Sequence, residues 1–258
     1  MATTVADRPM SVLPMVRRLE AAGFRAWPAS SVHYDGAWLV RLTSGHPAKR
    51  LNSVNPLDPG DVARLDERIG RNARRFDAYG RRMLFRMTPL AGARLSAHLD
   101  AAGWVRFDEC LVMTLDLAEV DFRSAIDVLP LRDAARFLDG ALRLRGDATL
   151  RPGLSEIIES IEGEAGLFLT ESDRSATSSA ICVHDRDLAG LFEVATGMAD
   201  RGRGHGKSIV MSALKWAKLR GARLAWLQVE VDNAAAVGLY RSIGFRELYR
   251  YHYRAPPA

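Results

Sequence analysis

Apolar and polar residues alternate along this chain with two different periods, and the switches between those periods divide it into helices and strands. From about Ser11 to Ala22 apolar residues recur at helical spacing. This predicts a short amphipathic helix ended by Gly23 and followed by Phe24-Arg25-Ala26-Trp27-Pro28. Val32 to Tyr34 and Ala37 to Thr43 flank an Asp35-Gly36 turn and predict a hairpin. Leu51 to Pro56 reads as a polar, turn-rich connection. After it come a charged helix from about Pro59 to Phe76, a strand from Met83 to Met87, a helix from Leu90 to Ala102, and a strand from Asp108 to Leu117. Residues 1 to 9 carry no such pattern and are expected to be disordered.

Further along, helices are predicted from Leu131 to Leu144 and from Leu154 to Glu162. Strands follow over Gly166 to Glu171, Ala176 to His184 and Leu188 to Thr196, with turns at Asp173-Arg174-Ser175 and Asp185-Arg186-Asp187. Between Ile209 and Arg220, Val210, Ala213, Leu214 and Ala217 share one helical face, and Gly221 caps the helix. The next strand, Leu224 to Val231, is expected to run parallel to Leu188 to Thr196 because a helix crosses between them. The chain closes with a helix, Gly244-Phe245 and a strand from Glu247 to Arg254. That ending echoes the earlier helix, Gly103-Trp104 and strand; when the two glycines are aligned, Leu99 falls opposite Tyr240. The echo predicts two copies of one α+β unit, residues 1–120 and 125–258, joined near Ala118 to Ser124.

The segment from Ala199 to Ser208 places Gly202, Gly204 and Gly206 just before a helix. Glycine costs about 1 kcal/mol against alanine inside a helix, so three of them suggest a backbone that must approach a ligand closely. Free N–H groups and the positive dipole end of a helix favour phosphate there. A Walker A loop is excluded because the position five before Gly206 holds Arg201, and the dinucleotide fingerprint fails on glycine spacing. The first half of the chain has no such loop.

The pattern Arg-x-x-Gly-x-Gly, filled by Arg201, Gly204 and Gly206, resembles the pyrophosphate loop of the GNAT superfamily of acetyl-CoA-dependent N-acetyltransferases. Asn233 before the last helix, the Leu239-Tyr240 pair within it and Gly244-Phe245 beyond it are similar to the closing segment of the same family. The resemblance covers roughly residues 125 to 254, and the first half looks like a degenerate GNAT-like domain. It implies an α+β fold: a mixed, mostly antiparallel sheet flanked by helices, with a central parallel strand pair splayed at Glu193 to Thr196 and Gln228 to Val231. In that slot the backbone of Val194, Ala195 and Thr196 would hold the pantetheine arm of acetyl-CoA. The amides of Arg201, Gly202, Arg203, Gly204, His205, Gly206 and Lys207 would hold its pyrophosphate. Asn233 would both cap its helix and touch the cofactor arm. Tyr240 is implied as the acid that protonates the departing thiolate. Glu193 is the first candidate for the base that deprotonates the incoming amine, and Glu230 the second. Tyr34, Trp38 and Asn52 are candidate acceptor contacts from the first half. A non-catalytic acyl-CoA sensor is the alternative reading.

Composition narrows the picture further. The chain has 258 residues and a formal net charge of +5; residues 1–120 hold 17 Arg or Lys against 13 Asp or Glu, so most of the excess lies in the first half. Arg71, Arg74, Arg75, Arg81, Arg82, Arg86 and Arg94 suggest a basic patch, read as solvated surface or a site for an acidic partner. No aromatic residues interleave with it in a nucleic-acid-binding pattern. Cys110 and Cys182 belong to no pair or cluster, and are expected to be reduced and buried. Cys182 has no histidine partner that would make it a nucleophile. Histidine spacing predicts no metal. The absence of a membrane-length apolar run or a leader pattern predicts a cytoplasmic monomer or homodimer acting on a small-molecule or peptide amine.

Overall fold

A computed structural model describes residues 12–173 and 175–257. The expectation for residues 1 to 9, and Arg174 of the predicted turn, lie outside the described residues. Helix α1 spans Leu13–Ala26 and leads to a meander of β1 (Ser31–Asp35), β2 (Trp38–Leu42) and β3 (Ser53–Pro56). Then come α2 (Leu65–Ala78), β4 (Phe85–Met87), α3 (Gly92–Ala101) and β5 (Val105–Asp116). The second half carries α4 (Ala134–Arg145), α5 (Arg151–Ser160), β6 (Glu164–Ser172), β7 (Ser175–Asp185) and β8 (Leu188–Thr196). It closes with α6 (His205–Leu219), β9 (Leu224–Glu230), α7 (Ala234–Ile243) and β10 (Arg246–Ala255).

The ten strands of the described residues join one sheet in the order β1-β2-β3-β4-β10-β5-β9-β8-β7-β6. Among them β3–β4 and β8–β9 pair in parallel, and each pair is bridged by a helix, α2 or α6. The halves therefore repeat a three-strand meander, crossover helix, strand, helix and final strand. Their final strands are exchanged: β5 pairs with β9, β10 pairs with β4, and the two pair antiparallel with each other. This couples the halves through backbone hydrogen bonds, so each half's part of the sheet includes a pairing with the final strand of the other.

Gly23 does not end the first helix, which continues to Ala26. A Cβ on Gly23 would lie 3.3 Å from the Trp226 ring, so this glycine serves close packing against β9. The polar run after Leu51 is not a loop but the buried strand β3. Its polar side chains are tied to backbone: Asn52, just before the strand, accepts from the Thr43 amide at 2.8 Å and donates to the carbonyls of His46 and Ala48 at 2.8 and 3.1 Å. Asn55 donates to Leu39 and Ser53.

Three apolar clusters build the core. One gathers Trp38, Phe76, Phe85, Leu99 and Trp104 within the first half. Another packs α6 and α7 against the second half's sheet through Ile209, Leu214, Leu227 and Tyr240. The third spans both halves, with α1, α4 and α5 covering strands from each. Trp27 after α1 stacks on Phe192 of β8 at 5.1 Å, and Phe192 meets Trp226 edge-on at 5.4 Å.

Most members of the suspected arginine patch are engaged within the fold. Arg71 pairs with Asp35, Arg75 donates to Asn72, and Arg81 donates to the carbonyls of Thr43 and Ser44. Arg86 is buried against Glu20, each side chain only 3% exposed, and Tyr249 of β10 donates to the same carboxylate at 2.6 Å. Glu20, Arg86 and Tyr249 thus tie α1, β4 and the exchanged strand together. Removing one member of a buried pair strands the other's charge and costs about 3–5 kcal/mol. Glu20→Ala should lower unfolding stability by about that much, read from the denaturant midpoint; a loss under about 1 kcal/mol would place this pair among weakly contributing surface bridges.

Candidate active site

The sheet opens beside its parallel pair. Pairing between β8 and β9 runs from Leu188↔Leu224 to Leu191↔Leu227 and then stops, although both strands continue. A β-bulge causes the divergence. The β7–β8 register shifts between Ser179 and Ile181, and Glu193 takes a left-handed φ of 49°. That conformation is unfavourable for a residue with a side chain. The Ser179 hydroxyl supports it by donating to the Glu193 carbonyl at 3.2 Å. A bulge bends and twists its strand, which turns Val194, Ala195 and Thr196 away from β9.

A cleft of about 490 Å³ begins at this opening and ends at the glycine loop. Val194, Ala195, Thr196, Asn233 and Tyr240 line one end; Arg201, Gly202, Gly204, His205, Gly206 and Lys207 line the other. Gly202 and Gly204 have φ of 76° and 85°, a backbone path that favours glycine. Gly204 caps α6 with no side-chain hydrogen bond, which leaves the amides of the first turn available to a ligand. Gly206 meets a different demand: a Cβ there would lie 3.0 Å from Thr196 Oγ1 and 3.4 Å from Leu239. This bare backbone, an uncapped helix start and the basic Arg201 and Lys207 form a cradle suited to a diphosphate. Arg203 is the exception among the predicted residues. It does not line the cleft, is 68% exposed, and lies 3.9 Å from Asp200.

Asn233 caps α7, accepting from the Ala236 amide at 3.1 Å. Tyr240 follows two helical turns later. It sits between the cleft and a second cavity of about 410 Å³, lining both. Its ring packs edge-on against Phe245, and burial pushes its hydroxyl pKa up to about 12. The hydroxyl therefore stays protonated at neutral pH. The equivalent Leu99 is wholly buried in the first-half core.

Glu193 and Glu230 both line the second cavity but differ in their surroundings. The Glu193 side chain is 5% exposed and paired with Arg145 from the last turn of α4. Glu230, at the end of β9, is exposed and makes no ion pair among the described residues. The two base candidates thus differ in their surroundings, Glu193 buried in an ion pair and Glu230 exposed. The residues of the first half expected to touch the acceptor lie away from these cavities. Tyr34 is 72% exposed, Trp38 is fully buried, and Asn52 is occupied by backbone partners; none lines these cavities. Arg50, from a short turn before β3, reaches the second cavity instead. Leu144, Asp200, Ala235, Ala236 and Leu239 complete the cleft wall. The run Ala234-Ala235-Ala236 was the available signal, since small residues at a helix start leave room for a ligand.

Burial raises the Cys182 thiol pKa, and the side chain lies in the core, away from both cavities. Among the described residues no group of His, Cys, Asp and Glu could hold a metal ion, and no helix is long and apolar enough to cross a membrane.

With this geometry established, comparison with known proteins gives a consistent result. Residues 14–254 match the family described as "Probable histone acetyltransferase Rv0428c C-terminal". A protein of Bacillus subtilis (strain 168) named "Uncharacterized N-acetyltransferase YobR" is 26% identical over 255 residues, covering 93% of this chain and 98% of its own. A "[Ribosomal protein bS18]-alanine N-acetyltransferase" of Salmonella typhimurium is 38% identical over 81 residues, 31% of this chain and 54% of that one. In structure, a GCN5-related N-acetyltransferase from Kribbella flavida aligns with a TM-score of 0.71 at 18% identity, covering 94% of this chain and 95% of its own. A tandem GNAT protein from the clavulanic acid biosynthesis pathway aligns with a TM-score of 0.59 at 16% identity, over 98% and 90% of the two chains. The two structural matches establish a GNAT fold, including its tandem form.

Proposed function

The chain belongs to the Rv0428c acetyltransferase family and is an N-acetyltransferase; from that premise we propose that its second half, residues 125–258, binds acetyl-CoA and moves the acetyl group directly to a primary amine. The observation that carries this reading is the position of Tyr240, which borders both the glycine-loop cleft and the cavity holding Glu230. Residues 1–120 form a degenerate GNAT-like half that walls the acceptor side through Arg50.

Acetyl-CoA would supply an activated thioester, with its pyrophosphate on the amides from Arg201 to Lys207 and its arm along Val194 to Thr196. Glu230 takes a proton from the incoming ammonium, directly or through water, leaving a neutral nitrogen lone pair. As the nitrogen–carbon bond forms and the carbon–sulfur bond breaks, Tyr240 gives its proton to the departing sulfur, and the second proton lost by the nitrogen restores the Tyr240 hydroxyl, directly or through water, leaving the amide and CoA thiol. The pairing of Glu193 with Arg145 supports Glu230 as base and gives Glu193 an anchoring role. The buried, unpaired cysteines are compatible with the reducing cytoplasm.

Glu230→Gln should lower kcat/KM for the amine at neutral pH by about 10²-fold or more, with acetyl-CoA binding unchanged. Steady-state kinetics with a panel of amines would check this. Undiminished turnover would return the base role to Glu193 or a water. Tight acetyl-CoA binding by the wild-type protein with no CoA release on any amine would favour the sensor alternative.

A further inference from the structure

The second cavity continues past Glu230 into a third, of about 240 Å³, which includes Lys49, Cys110, Tyr251 and Tyr253. Arg50, Gln228, Val229 and Glu230 line both, so these residues form the passage between them. Four charged side chains face the second cavity and three face the third. Arg145 is neutralised by Glu193, and Lys49 by Asp108. Among the described residues, that leaves Arg50 and Glu230 as the two charges without an ion-pair partner, and both line the same two cavities.

Arg50 is also held in place. Its guanidinium stacks over the Trp27 ring at 5.1 Å and lies 5.8 Å from the Phe192 ring. Stacking of this kind orders the side chain while leaving the edge of its planar fork available for hydrogen bonds. Behind it lies another positive charge. Arg41 is 3% exposed, and its guanidinium donates to the carbonyls of Arg50, at 2.9 Å, and Trp27, with no carboxylate partner. Arg86 nearby is balanced by Glu20, so Arg41 adds a net positive field behind Arg50. A positioned guanidinium in such a field is suited to bidentate binding of a carboxylate or phosphate.

On the reading that this site transfers acetyl to an amine, we propose that the acceptor is zwitterionic: its amine lies at Glu230, and an acidic group on the same molecule is bound by Arg50. A purely cationic acceptor, such as an isolated diamine, would leave Arg50 unanswered and bring a second positive charge beside it. Arg50 is a specificity residue in this account and takes no part in the proton transfers.

The test is equilibrium binding of matched probes to the CoA-loaded protein. One set consists of α-, β- and γ-amino acids and dipeptides as free acids and as C-terminal amides; the other pairs phosphoethanolamine with ethanolamine. At least one acidic member should bind about tenfold or more tightly than its neutral counterpart, and the set it belongs to distinguishes carboxylate from phosphate. Arg50→Gln should abolish that preference without changing CoA affinity, and Arg50→Lys should retain part of it. Equal binding within every pair, no binding by any probe, or a preference that persists in Arg50→Gln would overturn the proposal. Acid-selective binding without acetyl transfer would support this inference while removing the transfer reading. Transfer to amines with acids and amides equally good would do the reverse.

Discussion

Replacing Tyr240 by phenylalanine should lower kcat by about two orders of magnitude while KM for acetyl-CoA changes by no more than about threefold. The substitution deletes one hydroxyl and keeps the ring that packs against Phe245, so the core around α7 should be preserved. The expected split between kcat and KM follows from where that hydroxyl acts. In the proposed mechanism it meets the sulfur as negative charge develops there, and a group used only at that stage changes turnover rather than ground-state binding. Burial pushes the Tyr240 pKa up to about 12, so a pH profile of kcat should show no loss of this acid through pH 10. Steady-state kinetics with a saturating amine is the required measurement. Turnover of Tyr240→Phe within about threefold of wild type would remove Tyr240 from the acid role.

The second large effect is expected at Gly206. An added Cβ would press on Thr196 Oγ1 at 3.0 Å, and a glutamate would carry negative charge into the phosphate cradle. Juxtaposed like charges cost several kcal/mol, so Gly206→Glu should weaken acetyl-CoA binding by about 10²-fold or more. Gly206 lies half-buried in the first turn of α6, at the edge of the cleft, and the far-UV spectrum and melting temperature should remain near those of wild type. Isothermal titration with acetyl-CoA reads the effect, and unchanged affinity would move the cofactor out of this cleft.

Much of the fold was legible because it follows from local chemistry. The limits of β8, Leu188 to Thr196, emerge directly from its apolar run. The helix opened by Asn233 and closed by Gly244 is announced by its two caps. The repeat was visible only as the Gly103-Trp104 and Gly244-Phe245 echo, whereas the structure extends it over the meander, crossover helix and parallel pair of each half. The exchange of β5 and β10 leaves no local mark, since each strand has the same pattern beside either neighbour. β3 was hidden because Asn52, Ser53 and Asn55 are buried, with the two asparagine amide groups donating to backbone carbonyls, and such a polar run in a sequence looks like a solvated turn.

The site divides in the same way. The cradle was legible through its glycines, because backbone conformation and close approach restrict residue type strongly. The bulge at Glu193 carries no glycine and was not legible. Nor was the contact of Glu193 with Arg145, 48 residues earlier in the chain, on which the proposal of Glu230 as base rests. Arg50 was missed because its significance comes from what surrounds it: Trp27 beneath, Arg41 behind, and no carboxylate alongside.

The central claim is that one of two structurally repeated halves carries the cofactor. The first half has no glycine loop at the start of α2; Arg64, with φ of 50°, caps that helix, and Asp61 just before it binds Arg68. Equilibrium titration of acetyl-CoA against a known concentration of the protein tests the claim most directly. The account predicts one acetyl-CoA per chain, with binding weakened by Gly206→Glu. Two per chain, none, or a single site indifferent to Gly206→Glu would contradict it.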